Sequence, residues 1–216
     1  MEYEHLLQLV GDEPVFESAL LLAGDVDPNL VRLQLSRWTR SGRLYQLRRG
    51  LYAIAPPYQK VKPHPFLIAN RLQRASYVSL QSALAFYGLI PDTSQATLSV
   101  STGRPERLDT PLGVFEFRHV KPALLRGYRM IELSHTAPVQ QALVARPEKA
   151  LLDLVYLTPG GDAPEYLGEL RLQNLEGLDL DELHRQAETF QTPKLRRAVE
   201  VIVRMAQAEA QEYKTL

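Results

Sequence analysis

Between Asp27 and Ile54 the chain reads DPNLVRLQLSRWTRSGRLYQLRRGLYAI, and its hydrophobic period changes abruptly at Gly42. Asp27 suits the residue that caps free helix amides, Pro28 the first helical position, and Gly42 the residue just past the end. Between those marks Val31, Leu35 and Trp38 recur at i, i+4 and i+7, with Leu30 beside them, which predicts one buried stripe. Arg32, Ser36 and Arg40 share another face, with Asn29, Arg37 and Thr39 on its margins. RLYQL and GLYAI follow as two β-like runs, joined by Arg48 and Arg49 before Gly50, and predict a hairpin. Tyr45 and Tyr52 are expected to pack that hairpin onto the helices, and Trp38 to join the core.

Two shorter helical patterns come first. EYEHLLQLV carries Leu6, Leu7 and Val10 and stops at Gly11; PVFESALLLAG carries Val15, Phe16, Ala19, Leu20 and Ala23 and stops at Gly24. Helix, helix, cationic helix and hairpin is the order of a winged helix-turn-helix, expected over residues 1–58.

Charge is distributed to match. The whole chain is formally neutral, yet residues 1–27 hold seven acids and no Lys or Arg, whereas residues 28–91 hold ten basic side chains and no acid. Residues 92–216 carry fifteen basic and eighteen acidic side chains. Such segregation suits a surface that meets a polyanion. The plainer reading is a basic face docked on the acidic N-terminal segment. In a helix-turn-helix the second helix of the motif enters the major groove, and arginine's planar fork can hold guanine or phosphate bidentately. Asn29, Arg32, Ser36, Arg37, Arg40 and Arg43 are therefore the candidate contacts on or beside the helix, and Arg48 and Arg49 those on the hairpin turn.

APPYQKVKPHPF has four prolines in twelve residues and reads as an extended linker, in which Lys60, Lys62 and His64 either follow phosphates or are simply solvated. Residues 59–216 are expected to form a mixed α/β second domain with C-terminal helices, so the fold class is α+β. FLIANRLQ and YVSLQSALAFYGLIP read as helices. ATLSVST and GVFEFRHV read as strands of a hairpin with a long, turn-rich loop, and YRMIEL and VQQALVA as further strands. RPEKALLDLVYL, EYLGELRLQ, DLDELHRQAETF and TPKLRRAVEVIVRMAQAEAQEY complete the helices. In the last, Leu195, Val199, Ile202 and Met205 form a stripe for the second domain or for a partner subunit.

Cysteine is absent, which excludes disulfides, thiolate metal sites and a cysteine nucleophile. The five histidines, His5, His64, His119, His135 and His184, have no zinc-binding spacing, and neither metal nor cofactor is expected. The acidic N-terminus lacks a signal-peptide layout, and no apolar run approaches the roughly 18 residues of a membrane helix, so a cytoplasmic protein is expected. A metal-dependent nuclease built on Asp109, Glu116 and Arg118 is a remote alternative, because arginine replaces the lysine such sites use. A module binding an acidic protein is another; it would share the charge split without needing the winged-helix order.

SGRLYQLRRGLYAI, YVSLQSALAFYGLI and ARPEKALLDLVYL, in that order, resemble the AbiEi family of antitoxins from bacterial type IV toxin–antitoxin systems, over about residues 5–205. The resemblance implies a transcriptional repressor that binds inverted repeats upstream of its own operon, as a possible homodimer. It also implies a cognate nucleotidyltransferase-like toxin countered without a stable complex, with the C-terminal domain needed for antitoxicity. A solitary regulator with this architecture is the alternative. Within PEKALLDL, Glu148, Lys149 and Asp153 are candidate residues for the antitoxin role; the structural reading makes them a helix-start charge pair and a packing-facing carboxylate.

Overall fold

The computed structural model describes residues 2–22, 26–91, 95–133 and 138–213. The expected helix stop at Gly24 and the histidine at 135 lie outside the described residues. The chain is α+β and has two apolar cores.

The smaller core gathers residues 3–54. Helix α1 (Tyr3–Val10) is followed by a two-residue strand β1 (Phe16–Glu17) and a 3₁₀ turn (Ser18–Leu22), where a regular helix is expected from the apolar spacing. Pairing decides the outcome: Phe16 and Glu17 lie antiparallel to Tyr52 and Leu51, so the backbone extends to complete a sheet. Helix α2 (Pro28–Arg40) then leads into β2 (Leu44–Arg48) and β3 (Leu51–Ile54), giving an antiparallel sheet in the order β1-β3-β2. Leu6, Val10, Val31, Leu35 and Trp38 of the helices meet Phe16, Leu44, Tyr52 and Ile54 of the sheet.

Tyr52 thus packs the hairpin onto the helices as expected, but Tyr45 does not. With Leu47, Leu51 and Ala53 it faces the larger core. The alternation of β2 and β3 therefore serves two cores, one on each face, and the hairpin is covered on both sides.

The larger core is built on a six-stranded mixed sheet whose strands lie, edge to edge, in the order Glu106–Thr110, Gly113–His119, Ala96–Ser101, Ser76–Val78, Gln141–Ala145 and Tyr128–Glu132. Helix α3 (Pro65–Leu72) precedes β4 (Ser76–Val78), and α4 (Leu80–Phe86) follows it. The start of YVSLQSALAF is therefore a strand, not a helix. All three residues of β4 are buried, and a central strand buried on both faces carries no alternation to separate it from a helix. Strand β5 (Ala96–Ser101) runs parallel to β7 (Gly113–His119), and β6 (Glu106–Thr110) forms the hairpin with β7. The expected β5–β7 hairpin is thus replaced, because the intervening segment becomes a strand of its own.

Strands β8 (Tyr128–Glu132) and β9 (Gln141–Ala145) pair antiparallel, and β9 lies parallel to β4. Helix α5 (Pro147–Leu157) starts at the proline that marks it in the sequence. Helices α6 (Pro164–Glu169), α7 (Leu180–Thr189) and α8 (Pro193–Tyr213) complete the chain. Leu195, Val199 and Ile202 of α8 are buried in the larger core, which accounts for that stripe within the chain itself. No helix among the described residues is long and apolar enough to cross a membrane.

Candidate nucleic-acid interface

Helix α2 is fixed at both ends by the residues that announce it. The Asp27 carboxylate accepts the Asn29 amide at 2.8 Å. At the other end the amides of Ser41, Gly42 and Arg43 reach the carbonyls of Arg37, Thr39 and Trp38 at 2.9–3.1 Å. That turn requires a left-handed residue, and Gly42 supplies it with φ +71°. Val31, Leu35 and Trp38 anchor the buried side, where Trp38 meets the Tyr3 ring edge-on at 5.4 Å.

The opposite side of α2 is open. Asn29, Arg32, Ser36, Arg37 and Arg40 are all exposed. Arg32 donates to the Asn29 side-chain oxygen at 3.3 Å and Arg40 to Ser36 Oγ at 3.1 Å. Both partners are neutral, so the guanidinium groups are oriented along the helix without losing their charge. Leu30 is 60% exposed and Leu33 43%. Leu30 is therefore not in the buried stripe, and an apolar margin borders the arginines. Thr39 turns away from the surface, donating to the Leu35 carbonyl at 2.9 Å.

Arg43 lies over the Tyr3 ring at 5.0 Å, and its carbonyl accepts the Tyr3 hydroxyl at 3.1 Å, which joins the start of β2 to α1. Arg48 is committed differently: it donates to the Leu72 carbonyl at the end of α3, at 2.6 Å. Arg49 is exposed at the turn. The hairpin turn is thus placed against α3, an arrangement that sequence spacing does not reveal. Arg71 and Arg74 of that region line the same open cleft, of about 450 Å³, as Arg48 and Arg49.

Among the described residues the acidic N-terminal segment neutralises little of this charge. Among the described residues its ion pairs with the basic segment are Lys60–Asp12 at 3.2 Å and Arg74–Glu17 at 2.8 Å. No arginine of α2 or of the hairpin turn has a carboxylate partner among the described residues.

Glu148, Lys149 and Asp153 behave as a structural set. The Glu148 carboxylate accepts the Asp179 amide at 3.0 Å, tying the start of α5 to the cap of α7. Lys149 pairs with Asp153 one turn on, not with Glu148, and both are buried, at 1% and 0% exposure. The second Asp153 oxygen accepts the hydroxyls of Tyr77 and Ser79, each at 2.9 Å. Burial pushes the Asp153 carboxyl up and the Lys149 ammonium down, against their mutual attraction; burial likewise raises the Tyr77 phenol, keeping it a donor. The Lys149 Nζ also lies 4.8 Å from the centre of the Phe190 ring.

Asp109 lies in β6, not in a loop, and shares Arg107 with Glu116, which Arg118 also approaches at 3.7 Å. These residues form a charge ladder over β6 and β7, exposed except for the half-buried Glu116. No group of His, Asp and Glu that could hold a metal ion occurs among the described residues. No protein-family model matches the chain, and no protein of curated function matches it.

Proposed function

We propose that the chain is a sequence-specific, double-stranded DNA-binding transcriptional regulator, with residues 1–58 as a winged helix-turn-helix whose α2 enters the major groove. The observation that carries this is the open face of α2, where Arg32 and Arg40 are oriented by neutral neighbours, Arg37 is exposed beside them, and no carboxylate among the described residues neutralises the three. In that docking Arg32 and Arg40 would meet base edges and phosphates, and the exposed Leu30 and Leu33 the thymine methyls. The order of α1, 3₁₀ turn, α2 and hairpin supports the same docking.

Within this reading the protein acts in the cytoplasm, has no catalytic role and needs no cofactor. The resemblance to AbiEi antitoxins makes its operator the region upstream of its own operon, read as inverted repeats by a homodimer. It also makes the larger lobe the part that counters a nucleotidyltransferase-like toxin without a stable complex.

The test is fluorescence anisotropy of the full chain on duplex from its own upstream region and on scrambled duplex, over a salt series. Expected are preference for the upstream duplex and an affinity that falls steeply with salt, by about 0.9 in log–log slope per phosphate neutralised. Equal, salt-insensitive affinity for both duplexes would end this reading in favour of an acidic protein partner.

A further inference from the structure

We infer that the cleft between the hairpin turn and the end of α3 is a phosphoryl-binding site that grips a polyanion between the two cores. Arg48 and Arg49 reach it from the turn, Arg71 and Arg74 from the end of α3 and the residues beyond. Glu17 is the one carboxylate lining it, so four cations and one anion leave a net charge of +3 in a concave surface. Concavity matters, because low-dielectric walls focus the field of such a cluster.

The four arginines divide into two kinds. Arg48 is held by the Leu72 carbonyl at 2.6 Å and Arg74 by both oxygens of Glu17 at 2.8 Å; these two build the walls. Arg49 and Arg71 are exposed and have no carboxylate partner among the described residues. A cation in the last turn of α3 is favoured by the helix dipole, which accounts for Arg71 alone and not for its convergence with three others. Gly50, with φ +84°, brings the turn so near Ser18 that an added Cβ would lie 3.4 Å from its hydroxyl, a neutral donor on the same cleft. Paired forks and a hydroxyl suit the tetrahedral, multiply charged oxygens of a phosphoryl group better than a single carboxylate.

The phosphoryl group has two possible sources, a duplex backbone or a free phosphate compound, and the observations favour the backbone. This part rests on the DNA-binding reading above. Arg43, beside the end of α2, and Arg48 lie at opposite ends of β2, five residues apart, or roughly 16 Å. That is about five base pairs along a duplex at about 3.4 Å each. A duplex on α2 that runs along the hairpin for that length reaches the cleft, where its backbone would meet walls drawn from both cores.

Arg71 is the decisive residue, since it is exposed and belongs to neither α2 nor the hairpin. In the full chain, Arg71→Ala is expected to reduce the salt slope on a 30-base-pair upstream duplex by about 0.9, with the preference over scrambled duplex unchanged. Arg71→Lys restores the slope, and Arg71→Glu lowers affinity for both duplexes further. In parallel, thermal unfolding without DNA is followed against inorganic pyrophosphate. An unchanged slope together with pyrophosphate stabilisation that Arg71→Ala abolishes would assign the cleft to a free phosphate compound. An unchanged slope and no such stabilisation would overturn the site. If the wild-type chain fails to select its upstream duplex, the regulator reading falls, and the pyrophosphate arm still decides the cleft.

Discussion

The cations of α2 and the cation of α5 share chemistry and are held in opposite ways. Arg32 and Arg40 lean on an amide and a hydroxyl at the surface, and no carboxylate among the described residues balances their charge. Lys149 lies inside the larger core against Asp153, with Tyr77 and Ser79 satisfying the carboxylate's second oxygen. A buried charge without its counterion is costly enough that the fold must supply one, whereas a solvated charge tolerates its absence. A charge completed within the chain therefore serves the fold, whereas the array left incomplete at the surface is, on the proposed reading, what meets the duplex.

The largest expected effect tests the completed side. Asp153→Asn leaves the Lys149 ammonium buried and unpaired, and should cost about 3–5 kcal/mol in urea unfolding at pH 7. The sign with pH follows from burial, which already holds the Lys149 pKa below its ordinary value of 10.5. Without Asp153 the unfolded chain binds that proton more readily than the folded one, so the deficit should shrink as pH rises towards 10. A deficit independent of pH would mean that Lys149 is not the charge left stranded. Below its unfolding transition the variant should bind duplex like the wild type.

The incomplete side should give the mirror image. Arg32→Ala and Arg40→Ala are each expected to lose about 1–3 kcal/mol of affinity for the upstream duplex and some of its base preference. Arg49→Ala should weaken all duplexes by comparable amounts, as a phosphate contact does. None of the three should move the urea-derived stability by more than about 0.5 kcal/mol. Should Arg40→Ala destabilise the fold as Asp153→Asn does, the distinction between the two kinds of cation collapses.

How much of this the sequence revealed depends on the range of the interaction. Helix α2 was legible to the residue, because Asp27, Pro28 and Gly42 act within a few positions of the bonds they make. The arginine face followed from the helical period, although Leu30 was misplaced: its position at the edge of the stripe does not say how far the hairpin reaches. Strand β4, the β5–β7 parallel pair and β1 were misread because each becomes a strand only through a partner distant in the chain. The Lys149–Asp153 pair had a local signal, a lysine and an aspartate one turn apart on an apolar helix. Its burial was not legible, since Tyr77 and Ser79 arrive from more than 70 residues away. The cleft is of the same kind: Arg71 and Arg74 stood within the basic segment, but their meeting with the hairpin turn is tertiary.

His64 lies between the two extremes, a half-buried group whose charge the fold neither completes nor leaves in water. It caps α3, the helix that carries Arg71: its Nδ1 accepts the Phe66 amide at 3.1 Å, and this requires an unprotonated nitrogen. Burial holds its pKa below the ordinary 6.5. As pH falls the unfolded chain therefore takes up the proton first. The cap's contribution is complete above about pH 6.5 and is lost as pH drops through the lower folded value. Partial exposure and the scale of a single cap limit the loss to roughly 1 kcal/mol or less. His64→Asn keeps a side-chain acceptor at the cap and removes the titration. Urea unfolding of both proteins between pH 8 and pH 5 should show wild-type stability falling relative to His64→Asn below about pH 6.5. Parallel curves would show that the cap holds whether or not the ring is charged.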